Sequence, residues 1–193
     1  MNWLKLALAA AAVGIAVPAA AQVQLGMEGS TMLQALRDRD DAKAAELLTA
    51  NPRLANYRDT NGETPLLLSI SRRDEQWTGY LLNEGADPNL AARNGDTPLI
   101  LAARVGFDTA VDWLLSMEAR VNEKNRAGET ALIAAVQQRR SGVVKVLLEH
   151  GADPDITDSA QGYSARDYAK RDTRNRDLLK MIEAAGPKAG AKN

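Results

Sequence analysis

Apolar residues along most of this chain come in short bursts at helical spacing, separated by polar stretches that carry Gly, Pro, Asn and Asp. Leu66 with Ile70, Leu99 with Ala103, and Leu132 with Val136 stand four residues apart. Each pair marks one apolar stripe on a short helix of about 8 to 10 residues. Thr64, Thr97 and Thr130 precede these stripes as N-caps, and Pro65 and Pro98 fit the first turn, where a missing N–H is no loss. A second burst follows each one, built around Leu81-Leu82, then Val111, Leu114 and Leu115, then Leu147-Leu148. Gly106 permits a tight turn between the two helices. Arg73 and Arg139 hold the same place in their own segments, so those turns must tolerate a side chain. Gly85 and Gly151 stand where a left-handed C-cap is expected; Glu118, at the equivalent place, should cost about 1 kcal/mol because its Cβ crowds that conformation. From Asn89 to Gly95 the helical period lapses, which predicts a projecting β-turn loop.

The bursts repeat. Thr64, Thr97 and Thr130 are 33 residues apart and sit in the phrases GETPLLLSI, GDTPLILAA and GETALIAAV. A fourth phrase, GYSARDYA, begins at Gly162, 34 residues beyond Gly128, which implies a one-residue insertion between Asp155 and Gly162. The paired leucines keep the 33-residue step and are followed by EGADPN, MEARVN and HGADPD. Two short helices cannot bury enough surface alone, so such units must stack and close the stack with polar ends. At the front, Leu33, Leu36, Leu47 and Leu48 outline a degenerate unit with Asn51 at a C-cap and Asp38, Arg39, Asp40 and Asp41 at the inter-helix turn. At the back, Arg166, Asp167, Lys170, Arg171 and Asp172 charge the last unit, while Leu178, Leu179 and Ile182 keep one apolar face.

Through G-x-T-P-L, the paired leucines and G-A-D-x-N at this period, the chain resembles the ankyrin repeat family over about Glu28 to Gly186. It departs from the family at Leu67, Ile100 and Ile133, where a histidine is usual, and at Glu118, where the family has Gly. The resemblance implies an all-α ankyrin-repeat solenoid of about five helix-turn-helix units with short β-turn loops and atypical capping units at both ends. The expected repeat domain is 28–185, with units at about 28–58, 59–91, 92–124, 125–158 and 159–185, preceded by a short linker at 22–27 and followed by a disordered tail at 186–193. It further implies that a folded protein partner binds the concave side, made of loop tips and first helices. Carried over position by position, the tip residues are Thr60, Asn61 and Glu63; Arg93, Asn94 and Asp96; and Arg126, Ala127 and Glu129. The helix positions are Ser71 and Arg72, Arg104 and Val105, and Gln137 and Gln138. Stacking converts them to an acidic row, Glu63, Asp96 and Glu129, beside basic residues Arg93, Arg126, Arg72 and Arg104. Such a charged groove would tune association rate and specificity.

The N-terminus reads differently. Met1 to Lys5 carries one positive charge, Leu6 to Val17 is unbroken apolar sequence, and Pro18 leads to Ala19, Ala20 and Ala21. This is the layout of a cleavable signal peptide over residues 1–21, cut between Ala21 and Gln22. The run from Leu6 to Ala21 is shorter than the ~20 residues a membrane span requires. The Ala-rich form points to a bacterial, periplasmic or secreted protein, free of the membrane after cleavage.

Composition narrows the chemistry. With no Cys and one His, the chain has no disulfide, thiol nucleophile or His-rich metal site to offer. Its 24 Lys and Arg against 25 Asp and Glu give no bulk attraction to nucleic acid. His150, at the end of a helix, reads as a C-terminal capping group. Asp153, Asp155 and Asp158 lack the glycine and distal Glu of a calcium loop. Trp77 and Trp113 read as packing against adjacent units, whereas Tyr57 and Tyr163, near loops, are candidate partner anchors. No nucleophile motif, phosphate loop or metalloprotease motif occurs. The expectation is a non-enzymatic binding module, monomeric by itself, without catalytic residues, cofactor or metal. Narrower versions are an immunity or inhibitor protein covering a toxic enzyme, and an accessory factor supporting a periplasmic enzyme in stress defence; a small hydrolase is the remote alternative.

Overall fold

The structure, a computed structural model, describes residues 19–185, with side chains from residue 22. The expected signal segment up to Pro18 and the expected tail 186–193 lie outside the described residues. Among the described residues ten α-helices follow one another: α1 (Ala19–Asp38), α2 (Asp41–Ala50), α3 (Pro65–Ser71), α4 (Glu75–Asn83), α5 (Pro98–Val105), α6 (Asp108–Ser116), α7 (Ala131–Gln137), α8 (Ser141–Glu149), α9 (Ala165–Arg171) and α10 (Arg176–Ala184). A 3-10 turn, Pro52–Asn56, joins α2 to the first loop. Among the described residues the sole β feature is one antiparallel bridge, Thr157 with Ser164. Residues 22–27, read from sequence as a linker, continue α1 without a break.

The helix starts follow from their caps. The hydroxyls of Thr64, Thr97 and Thr130 accept the N–H of Leu67, Ile100 and Ile133 at 3.1, 3.2 and 3.3 Å. Ser164 does the same for Asp167, whose carboxylate reaches back to the Ser164 N–H in a capping box. Gly106 ends α5 at φ 70°, and Arg39, Arg73 and Arg139 adopt the same left-handed turn at φ 60°, 55° and 54°. Beyond the second helices Gly85 and Gly151 are also left-handed, and Glu118 is forced to φ 63° in their place. Asn51 does close α2, in extended geometry at φ −145°. The following Pro52 disfavours a helical backbone at the residue before it.

The units stack in two rows: α1, α3, α5, α7 and α9 pack in sequence along one side, and α4, α6, α8 and α10 along the other. Leu66, Leu99, Leu132, Ile70, Ala103 and Val136 are all buried between them, as are Leu33, Leu36, Leu48, Leu178 and Ile182 at the ends. Leu47, Leu115 and Leu179 are half-buried at the core's edge. Trp77 is buried and its indole N–H donates to Asp41 in the preceding unit at 2.7 Å; the Trp113 ring lies over Gly79 of the unit before it. Asn56 and Asn122 bridge neighbouring units, each accepting a backbone N–H of the next, from Asp87 at 2.7 Å and from Asp153 at 2.8 Å. Asn89 likewise accepts from Arg120 at 2.9 Å. These asparagines stand 33 residues apart, so a ladder of side chains sets the register of unit on unit.

Candidate functional site

Each loop between units folds back on itself through one backbone hydrogen bond. Asp59, Ala92 and Asn125 donate to the carbonyls of Glu63, Asp96 and Asn125's partner Glu129 at 3.0, 2.9 and 3.0 Å. In the fourth loop Asp158 donates to Tyr163 instead, at 3.0 Å, spanning the inserted residue. Side chains stiffen three of these tips. Asp59 accepts from the N–H of Asn61 and Glu63, Asn125 from Ala127 and Glu129, and Asp158 from Gln161 and Gly162. Ala92 has no side chain to do this, and Asn94 takes over by accepting the Asp96 N–H at 3.0 Å. Backbone bonds also join the second tip to the third, through Arg126 N–H to the Asn94 carbonyl at 3.1 Å, and the third to the fourth, through Ser159 N–H to the Ala127 carbonyl at 2.8 Å, while Gly62 of the first tip lies against the backbone of Arg93. The result is a continuous, rigid edge rather than a set of independent loops.

Electrostatically this edge differs from two parallel stripes of opposite charge. Asp96 is buried and Glu129 half-buried, and the Arg104 guanidinium spans them, reaching Asp96 at 2.6 and 3.0 Å and Glu129 at 2.5 Å. Asn125 donates to both carboxylates, at 2.7 and 3.1 Å, and Asn94 adds 2.8 Å to Asp96. Burial alone would raise the Asp96 pKa; the hydrogen bonds from Arg104 and Asn125 outweigh it and hold the carboxyl below its usual range. Arg104, bonded to Asp96 and Glu129, is held correspondingly more basic despite its own burial. Glu63 is paired with Arg37 of the first unit. Arg72 lays its guanidinium on the carbonyls of Leu36 and Arg37 at 2.7 and 3.1 Å, at the C-terminus of α1, where the helix dipole favours a cation. The acidic row is thus consumed inside the fold, and so are Arg72 and Arg104. Long side chains chose partners across units that their spacing in the chain did not specify.

What remains outward is narrower. Thr60, Asn61, Arg93, Asn94, Arg126 and Ala127 are exposed at the tips, and Ser71, Gln137 and Gln138 on the helices; Val105 is half-buried against the core. Asn61, Glu63, Ser71, Arg93, Asn94, Asp96 and Arg126 converge on one open groove of about 610 Å³. Its remaining lining, Leu67, Ala92 and Leu101, was not among the sequence candidates. A signal for each existed: Leu67 replaces the family's polar histidine, Leu101 is apolar but off the buried stripe of α5, and Ala92 interrupts the run of Asp and Asn at its loop position. A second hollow of about 400 Å³ lies toward the C-terminal end, where Gln137 meets Arg139, Tyr168, Arg171 and Asp172.

The other candidates are structural. His150 caps α8, its Nδ1 2.9 Å from the Val146 carbonyl. Asp153 accepts the Asp155 N–H at 2.9 Å, Asp155 pairs with Arg166 at 2.7 Å, and Asp158 accepts the Tyr168 hydroxyl at 2.5 Å. The three carboxylates therefore serve three separate contacts. Among the described residues, no group of three or more His, Cys, Asp or Glu is placed to hold a metal ion. Tyr57 is half-buried with its ring packed onto Gly29 of α1, and Tyr163 lies edge-on to Tyr168 at 5.6 Å with the Arg171 guanidinium 4.3 Å above its ring. Both tyrosines are half-buried and pack within the capping units.

Five stacked helix-turn-helix layers, locked by an asparagine ladder and a continuous loop edge, define an all-α repeat solenoid. A family model described as ankyrin repeats (3 copies) matches residues 31–125 and again 74–158. These windows overlap and together span about two thirds of the chain, which belongs to the ankyrin repeat family. No curated protein matches it. Ankyrin repeats generally mediate protein–protein interaction and are typically non-enzymatic modules.

Proposed function

We propose that this chain is an exported binding module that presents its concave edge, centred on the groove that spans the first three loop tips, to a folded protein partner. The observation that carries the reading is the preorganised edge. Backbone bonds between tips and the Arg104 network fix its shape before any partner arrives, so little ordering cost attends binding. Export rests on the N-terminal pattern of residues 1–21, and cleavage after Ala21 leaves α1 to begin at Gln22. N-terminal sequencing of the exported protein tests this: a chain starting at Gln22 supports it, and one starting at Met1 overturns it. The binding surface is tested by capture from the periplasmic fraction with wild-type and Arg93→Glu/Arg126→Glu baits matched for melting temperature. A partner retained by the wild type and lost by the variant supports the concave edge; a partner held equally by both places the contact elsewhere. Assay of a captured enzyme then separates inhibition from support.

A further inference from the structure

The groove's charge is not what its lining residues add up to. Two carboxylates line it, yet Asp96 receives hydrogen bonds on both oxygens from Arg104, Asn125 and Asn94, and Glu63 is paired with Arg37. Arg37 and Arg104 stand outside the lining and neutralise it from behind. Arg93 and Arg126 line the groove from successive tips, and among the described residues neither guanidinium is paired with a carboxylate. Leu67 and Leu101 provide an apolar floor, and the small Ala92 leaves room above it. The groove therefore offers two open cations one repeat apart over an apolar patch.

We infer that the part of the partner seated here is an extended acidic segment, with two Asp or Glu residues two or four positions apart flanking an apolar side chain. This rests on the concave-edge reading above and specifies what fills it. Packed helices lie about 8–10 Å apart, which sets the step from Arg93 to Arg126. An extended chain advances about 3.3 Å per residue and alternates faces, so acids two or four positions apart share one face and meet both guanidinium groups, while a residue next to either acid turns to the opposite face, toward Leu67 and Leu101. Arginine suits the task, because its planar fork pairs with a carboxylate through two parallel hydrogen bonds. A basic or neutral segment would leave both cations facing no counter-charge.

The test is selection of random dodecapeptides on the purified full chain, followed by affinity measurement of one enriched peptide and its Glu-to-Gln, Asp-to-Asn counterpart. The expected result is enrichment of paired acids around an apolar residue. Affinity should fall about tenfold or more in the amide peptide and in Arg93→Gln/Arg126→Gln, and should weaken with added salt. Circular dichroism melts matched to wild type keep the variant interpretable, since both arginines are exposed. Enriched peptides that are neutral or basic, but are blocked by Ser71→Arg in the groove wall, overturn the acidic segment and leave the concave edge standing. Peptides indifferent to Ser71→Arg and to both arginine changes overturn the two together. No enrichment at all overturns the acidic segment, while the capture experiment judges the edge independently.

Discussion

At single positions the repeat demands a left-handed backbone whether or not a glycine is there to supply it. Glu118 takes φ 63° where Gly85 and Gly151 take 85° and 83°, and Arg73 takes 55° where Gly106 takes 70°. A Cβ in that region crowds the neighbouring carbonyl, which costs about 1 kcal/mol per residue. Neither the Glu118 nor the Arg73 side chain is buried, so nothing of the core is lost by removing it. Glu118→Gly and Arg73→Gly are each expected to stabilise the fold by up to about 1 kcal/mol, less the extra freedom glycine gives the unfolded chain. Urea unfolding followed by circular dichroism checks this, with Glu118→Ala as the control that keeps the strain. Arg139→Gly should behave differently. The same strain is relieved at φ 54°, but the Arg139 contact to Asp172 in the last unit, 2.5 Å, is lost, so its net effect is expected to lie below that of Arg73→Gly. Gly29 makes the opposite demand: a Cβ there would sit 2.2 Å from the Tyr57 ring, so Gly29→Ala must displace Tyr57 and loosen α1 from the segment that follows the 3-10 turn within the first unit.

Between elements, the decisive feature is Arg104 joining Asp96 before α5 to Glu129 before α7. Arg104→Ala leaves two carboxylates facing each other with only Asn94 and Asn125 to satisfy them, and is expected to cost about 2–3 kcal/mol. Lysine keeps the charge but not the fork, so Arg104→Lys should recover only part of that loss. The Asp96 pKa is lowered in the folded state, so the unfolded chain binds the proton first as pH falls. Its contribution is complete above the unfolded value of about 3.9 and disappears as pH drops through the folded one. Acid titration of stability should therefore be flatter below about pH 4 in Asp96→Asn than in wild type. The same network shows how far sequence reaches. Helix starts at Thr64, Thr97 and Thr130 were legible because an N-cap is a local bond between residues three apart. The true charge of the groove was not. Arg37, Arg72 and Arg104 each found partners 25 to 36 residues away, a choice made by rotamers and stacking and not by local spacing. Charge reversal of Arg104 would accordingly damage the scaffold, which is why Arg93 and Arg126 alone are the informative pair.

Across the whole molecule each unit is stabilised by its two neighbours, so the ends carry a burden the middle does not. In α7 every residue from Ala131 to Val136 is buried, because α5 covers one side and α9 the other. The last unit keeps little of the apolar phrase of the others: α9 reads ARDYAKR, buries only Ala165 and Ala169, and turns Lys170 and Arg171 outward. It is also tied back by polar contacts, from Arg139 to Asp172 at 2.5 Å and from the Tyr168 hydroxyl to Asp158 at 2.5 Å. A cap of this kind gains little from its own two helices and much from covering α7 and α8. Ending the chain at Asp158 should then do more than remove one fifth of a uniform stack. It uncovers the apolar sides of α7 and α8 and releases Arg139 from its partner. The expected outcome is a chain that binds a hydrophobic dye, self-associates in sedimentation and melts well below the full protein. Ending it at Ala185 leaves α10 whole over α8 and should change none of these. If the Asp158 truncation instead remained monomeric and melted with the full chain, the charged last unit would be an appendage, and the stack would be closed by α7 and α8 themselves.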